Sequence, residues 1–185
     1  MHVAYALFDT AVGDCALIWK GRLIVRLLLP AGDDARQRLA VARAAPDARE
    51  EIAPTEIAKV MSDIAALCRG EPQDFKSAPL DRAQIEPFAA RVYAALDTVG
   101  FGETTTYGAV AERLGDRSLS RAVGAALGAN PFPIIIPCHR VTAANGAMGG
   151  FSAPGGAATK RKLLDIEGAL AAERLPLFRG PLRSS

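Results

Sequence analysis

The residues best suited to chemistry in this chain stand together at Cys138-His139-Arg140. A thiol near basic or cationic groups gives up its proton more readily, and the thiolate is the form that attacks electrophiles. Adjacent side chains in an extended segment point to opposite faces. His139 therefore reaches Cys138 only through a turn or a bridging water, and a buried structural cysteine beside a chance histidine is the competing reading. Cys15 and Cys68 have no such neighbours, and three cysteines make an odd, sparse set. Such a set argues for reduced thiols rather than a disulfide framework.

Other chemistries fit less well. There is no CxxC and no Cys/His cluster with zinc-like spacing, so neither a metal site nor a cofactor is expected. Gly150 to Gly155 has GxxxxG spacing, but Gly156-Ala157 follow where a phosphate loop needs Lys and then Ser or Thr. Cysteine hydrolases usually bring their histidine from elsewhere in the chain, and His2 is the only other one.

The elements that must position Cys138 can be read from pattern. Residues 3–29 read as strands, with Lys20-Gly21-Arg22 as a hairpin turn. A short helix is expected over 33–45, capped by Asp33 or Asp34 and stopped near Pro46. A longer one, over 55–69, carries Ile57, Val60, Met61, Ile64, Leu67 and Cys68 on one face and stops at Gly70. Residues 75–80 read as a connection. Pro87 opens a helix, and Phe88, Val92, Leu96 and Val99 form its apolar stripe. Tyr107 to Leu114 predicts a short helix and Ser118 caps the next, which runs to about Gly128. The pair, joined by Gly115-Asp116-Arg117, is compatible with a helix-turn-helix.

In Asn130-Pro131-Phe132-Pro133-Ile134-Ile135-Ile136-Pro137, the residues preceding proline are driven toward extended backbone. The spacing predicts a stiff, extended run into Cys138. Asn145-Gly146 predicts a hairpin between residues 140–142 and 147–148. A glycine-rich loop over 149–156 and a last helix over 159–170 complete the chain.

Composition sets broad limits. Half of the 185 residues are apolar and 23% are charged, as in ordinary folded proteins. No apolar run is long enough to span a membrane, and residues 1–5 do not open a secretory signal. A cytoplasmic protein without membrane contact is expected. Net charge is +2, split as −1 over residues 1–79 and +3 over 80–185. A polyanion would therefore meet the second half, although no strongly basic arm is present.

Pro137-Cys138-His139-Arg140-Val141 resembles the active-site signature of the O6-alkylguanine-DNA alkyltransferases, also called methylated-DNA–protein-cysteine methyltransferases. Phe101-Gly102-Glu103-Thr104-Thr105-Thr106-Tyr107 is similar to the approach to that family's helix-turn-helix, and Arg121-Ala122-Val123-Gly124 to its recognition helix. Asn130-Pro131 and Leu163-Leu164-Asp165-Ile166-Glu167-Gly168 also match. The resemblance covers roughly residues 80–170 well, and residues 1–79 only in general texture. It implies an α+β protein with three parts. A small N-terminal α/β domain with an antiparallel sheet spans 1–79, a mainly helical winged helix-turn-helix domain spans 80–171, and a tail spans 172–185.

It also implies roles. Cys138 would accept the alkyl group, His139 would act on the thiol through water, and Glu167 would orient His139. Asn130 would brace the active-site turn, and Tyr107 would offer a hydroxyl to the flipped guanine and its phosphate. Arg121 would fill the place of the extruded nucleotide. Ser118, Arg140, Phe151 and Ser152 are expected at the DNA with Tyr107 and Arg121. The partner would be double-stranded DNA containing O6-alkylguanine, with O4-alkylthymine as a second lesion, met by a monomer in the minor groove. The thioether formed would be permanent, giving one turnover per molecule.

This chain departs from the family pattern in two places. Phe151 stands where much of the family has tyrosine, so a hydroxyl contact is lost. Ala153-Pro154 lengthens the loop by about two residues relative to the family's commoner form. Two rival readings remain: a sensor that binds alkylated DNA without repairing it, and a structural adaptor. A gain in protein mass after incubation with lesion DNA separates repair from both.

Overall fold

The computed structural model describes residues 2–170. The tail expected over 172–185 lies outside the described residues. Strands β1 (Val3–Phe8), β2 (Cys15–Lys20) and β3 (Leu23–Leu28) form an antiparallel meander. The two-residue β4 (Arg49–Glu50) adds to the far edge of β1 in parallel, giving the order β3-β2-β1-β4. The sheet is thus mixed at one edge rather than wholly antiparallel. Helices α1 (Asp34–Ala44) and α2 (Thr55–Cys68) follow. Asp33 caps α1 by accepting from the Arg36 N–H, which satisfies one of the unpaired donors of a helix start. On α2, Ile57, Val60, Ile64, Leu67 and Cys68 are buried at the expected spacing, while Met61 is only partly covered.

The second half is mainly helical. It comprises α3 (Pro87–Leu96), β5 (Thr105–Thr106), α4 (Tyr107–Arg113), α5 (Ser120–Gly128), β6 (Val141–Thr142) and α6 (Ala157–Ile166). Pro87 opens α3 as read. α4 and α5 pack together and against α3, and the link between them holds a 3-10 turn over Arg117–Leu119. Asp116, not Ser118, caps that turn, accepting from the Ser118 N–H at 2.8 Å. Ser118 therefore lies before α5, exposed, and does not cap it.

The expected hairpin at Asn145-Gly146 is only a turn, closed by Ala143 N–H···O=C Ala147 at 2.9 Å. The strand before it, β6, pairs in parallel with β5. Among the described residues no hairpin wing flanks the two helices.

Apolar residues of both halves join one buried cluster, from Leu17, Trp19 and Leu27 through Ile64 and Leu67 to Leu96, Phe132 and Leu163. The 75–80 connection takes part: Ile24 donates to Pro79 O at 2.7 Å and Leu80 is buried. From β3, Leu27 N–H donates to Pro131 O at 2.9 Å. The sheet thereby holds the segment that leads to Cys138. No helix among the described residues is long and apolar enough to cross a membrane.

One glycine ties the turn before β5 to the end of α6. Gly102 has φ +76°, and a Cβ added there would stand 2.9 Å from the Glu167 carbonyl oxygen. Gly102→Ala meets both the left-handed backbone and that contact. It is expected to cost more than about 1 kcal/mol of unfolding free energy. Urea denaturation measures it, and a midpoint equal to the parent's would contradict this close approach.

Candidate active site

The run from Asn130 to Pro137 is not extended throughout, as the prolines alone suggested. It doubles back: Ile136 N–H donates to Phe132 O at 2.8 Å, and Pro133 and Ile136 form an isolated bridge. Ile134 sits at φ 70°, and it is the only non-glycine residue with positive φ among those described. For a β-branched residue this is costly, of order 1–3 kcal/mol, and persists only where the surroundings over-determine it. Burial of Phe132, Ile134, Ile135 and Ile136 does so. So does Asn130, whose Oδ1 accepts from Phe132 N at 2.9 Å and whose Nδ2 donates to Ile136 O at 3.0 Å.

This fold-back delivers a 3-10 turn over Cys138–Arg140. With three residues per turn, neighbouring side chains fan out around the axis instead of alternating. His139 and Arg140 both end on Glu167, the residue that closes α6. His139 Nε2 lies 2.9 Å from Glu167 Oε1, while Arg140 donates from Nε to Oε2 at 2.9 Å and from Nη2 to Oε1 at 3.0 Å. Gly102 N–H adds a donor to Oε2 at 3.3 Å, and Arg140 Nη1 donates to Val99 O at 2.7 Å.

A carboxylate at a helix C-terminus faces the negative end of the helix dipole. It is also fully buried here. Burial raises its pKa, but the hydrogen bonds from His139 and Arg140 and the Arg140 charge more than offset that and hold it well below the carboxylate range. Arg140 is therefore an inward anchor, buried against Glu167, and not the DNA contact expected from its sequence position.

With Glu167 ionised, the shared proton belongs on His139 Nε2, an assignment made from the hydrogen-bond network. That leaves the Nδ1 lone pair free as a base. Nδ1 is buried and has no hydrogen-bond partner among the described residues. Burial first, then the Arg140 and Lys160 charges, lower the imidazole's pKa against the pull of Glu167, so the ring is neutral at neutral pH.

All three cysteines are reduced and buried. Cys138 is distinguished by its surroundings. Only 6% of it is exposed, and it lies in the wall of a cleft of about 290 Å³ shared with Asn130, Pro133, Phe151, Ser152 and Pro154. Burial raises its pKa. The Asn130 amide, the Lys160 charge and the backbone N–H groups of Cys138 and His139 pull the other way. Cys15, by contrast, is pushed up to about 12 by burial with Cys68 alongside.

A more open cleft of about 600 Å³ adjoins through Phe151 and Ser152 and is lined by Tyr107, Ser120, Arg121 and Gly124. Tyr107 starts α4, and its hydroxyl donates to Gly150 O at 3.3 Å. Arg121 is exposed on α5 and forms no ion pair among the described residues. Phe151 is half-buried and packs on the core, and Ser152 is exposed. Ala153 and Pro154 are absorbed where α6 begins: Ala153 O accepts from Gly156 N at 2.9 Å, and Pro154 O accepts from the Thr159 hydroxyl at 2.6 Å. Tyr107, Arg121, Asn130, Cys138, Phe151 and Ser152 line the two adjoining clefts, whereas His139, Glu167, Ser118 and Arg140 line neither.

Sequence reasoning missed Lys160. Its side chain is fully buried and donates to Val141 O at 2.5 Å and to the Tyr107 hydroxyl at 3.5 Å. The signal was present. Lys160 shares the helical face of Leu163, Leu164 and Glu167 at i, i+3, i+4 and i+7, and a cation in an apolar stripe asks for a buried partner.

Glu167→Gln keeps volume but removes the charge, leaving Arg140 buried without its counter-ion. It is expected to cost about 3 kcal/mol in urea denaturation at neutral pH. The folded carboxyl lies below its unfolded value of about 4.3, so its stabilisation is complete above that value and fades as pH falls through the folded one. The stability gap between parent and variant should hold down to about pH 5 and narrow below about 4.3 as pH falls toward about 2. A constant gap would mean the carboxylate charge contributes nothing.

The family model described as "6-O-methylguanine DNA methyltransferase, DNA binding domain" matches residues 87–169. A Mycolicibacterium paratuberculosis methylated-DNA–protein-cysteine methyltransferase is 39% identical over 125 residues, covering 68% of this chain and 73% of the relative. The Mycobacterium tuberculosis protein of the same name is 46% identical over 91 residues, which is 49% of this chain. That match spans about half (54%) of the relative's own length. In structure, the chain resembles a Mycobacterium tuberculosis OGT crystallised in complex with DNA. The TM-score is 0.71 and the identity 32%, with 90% of this chain and 93% of that one covered. The turn that presents Cys138, the His139–Glu167 pair behind it and these likenesses together place the chain in the methylated-DNA–protein-cysteine methyltransferase family.

Proposed function

We propose that this protein reverses alkylation damage in double-stranded DNA by taking the alkyl group of an O6-alkylguanine onto Cys138, as a monomer and once per molecule. The observation that carries the reading is His139, buried one residue from the thiol, with Nε2 held by Glu167 and Nδ1 without a partner among the described residues.

The O6 atom is inside the duplex, so the nucleotide must turn out of the stack, at a cost of a few kcal/mol. Arg121, exposed on α5 at the rim of the wider cleft, is placed to fill the gap left in the stack. The extruded base enters between Tyr107 and Phe151 toward Cys138, with Phe151 packing on its ring and Ser152 at its edge. The two clefts, about 600 and 290 Å³ and joined at Phe151 and Ser152, lie at or near the usual range for small-molecule sites, roughly 300–1,000 Å³.

A water bridging Cys138 Sγ and His139 Nδ1 would pass the thiol proton to the imidazole. Glu167 would stabilise the imidazolium while it exists. The sulfur lone pair forms the S–C bond as the C–O6 bond breaks, and those electrons go to the leaving guanine. Hydrogen-bond donation from the Tyr107 hydroxyl to that base favours the transition state over the ground state. Overall the thiol proton ends on guanine and Cys138 becomes a thioether. Nothing among the described residues is equipped to cleave a thioether, hence the single turnover. Asn130 holds the fold-back and the thiol's surroundings together throughout.

Incubation with an oligonucleotide duplex containing O6-methylguanine, followed by intact-mass measurement, tests the reading. One methyl group should appear per protein molecule, mapped to Cys138, and none in Cys138→Ala. Repair of many lesions by each molecule would refute the one-turnover mechanism. Lesion binding with no mass gain would make the protein a sensor instead.

A further inference from the structure

Lys160 has no part in the mechanism above, yet the fold buries it completely beside the residues that do. A buried ammonium is expensive unless its donors are used. Here one donor goes to Val141 O at 2.5 Å, directly after the active-site turn, and another to the Tyr107 hydroxyl at 3.5 Å. The ammonium also stands 5.6 Å from the centroid of the Tyr107 ring. Cys138 and His139 face it from the active-site turn, and each feels its charge. Burial lowers the Lys160 pKa to about 8 while the neighbouring Cys138 raises it, so the group is still a cation at neutral pH.

We propose that Lys160 is a positioning residue for alkyl transfer, acting through Tyr107. An ammonium has donors and no acceptor. When Lys160 donates to the Tyr107 oxygen, that oxygen is committed as an acceptor and its own hydrogen must point elsewhere. Without DNA that hydrogen goes to Gly150 O at 3.3 Å. With a base in the cleft, it is the donor turned toward the leaving guanine. Donation into the phenol oxygen also polarises the O–H bond, strengthening it as a donor where water is excluded. Val141 O fixes the ammonium relative to the Cys138 turn. The Lys160–Tyr107 pair therefore holds its geometry relative to the thiol during attack.

This inference rests on the proposed alkyl transfer, and the experiment separates the two. Single-turnover rates and lesion-DNA affinity would be measured for the parent, Lys160→Gln, Tyr107→Phe and the double variant, with thermal unfolding as the check on folding. Lys160→Gln keeps an N–H donor for Val141 O but has no charge. It should slow transfer about tenfold or more, with lesion-DNA affinity unchanged within a factor of about three. In the Tyr107→Phe background the same change should have little further effect, because the route through the hydroxyl is already gone.

Full activity in Lys160→Gln, or equal fold losses in both backgrounds, would overturn the inference. If Lys160→Gln does not fold, Lys160→Met, an apolar side chain of similar length, runs the same cycle. A parent protein that gains no mass at all would instead overturn the alkyl-transfer reading.

Discussion

The carboxylate of Glu167 is the group around which the active-site half is organised. It receives His139, both arms of Arg140 and the Gly102 N–H. These partners tie the end of α6 to the Cys138 turn and the loop before β5. Each contact is bought by burying a charge, and a buried charge tolerates no missing partner. The gain from such a cluster is specificity of arrangement more than net stability. The turn bearing Cys138 cannot shift without stranding an ion, and Gly102 must stay a glycine-like turn because the α6 terminus presses on it.

The same constraint explains the strained approach. An extended run from Asn130 would carry the chain past Glu167. Folding back at Ile134 instead sets Cys138 N–H to donate to Ile136 O at 2.7 Å and opens the 3-10 turn. The strain is carried by a side chain embedded in the shared core, and Asn130 clasps both ends of the loop. Leu27 on β3 then pairs with Pro131, so the N-terminal sheet supports the catalytic turn without supplying any of its reactive atoms.

What was legible in the sequence was local or motif-borne. The α2 stripe, the Pro87 start of α3 and the site residues named by ordered motifs all depend on short-range spacing. The stripe and the helix start carry over to the structure, which also brings His139 onto Glu167 and Asn130 beside Cys138. What was not legible depends on partners distant in the chain. Arg140 looked like a surface cation beside a nucleophile, and only the return of α6 turns it inward onto Glu167. Three prolines argued for extension, but hydrogen bonds from Asn130 and burial of Ile134 outweighed that local preference. Ser118 had a capping side chain, yet Asp116 opens a 3-10 turn over Arg117–Leu119 that takes Ser118 in, and α5 starts only at Ser120. The hairpin at Asn145-Gly146 kept its turn but lost its second strand, and β6 pairs instead with β5, in parallel.

Burial sets the acid–base character of the site as much as identity does. It pushes the Cys138 thiol up and the His139 imidazole down, so that proton transfer between them runs uphill while both are judged alone. The two charges created by that transfer are neighbours, and each stabilises the other in a medium that screens poorly. Glu167 waits behind the imidazolium, and the Asn130 amide and the Lys160 ammonium face the thiolate. A resting thiol is thus protected from stray electrophiles by the same burial that would strengthen these contacts if, as proposed, an alkylated base closes the cleft. Under the proposed single transfer, an unreactive resting state is worth more than a permanently ionised cysteine. This site obtains one by burying the thiol among groups that favour its anion.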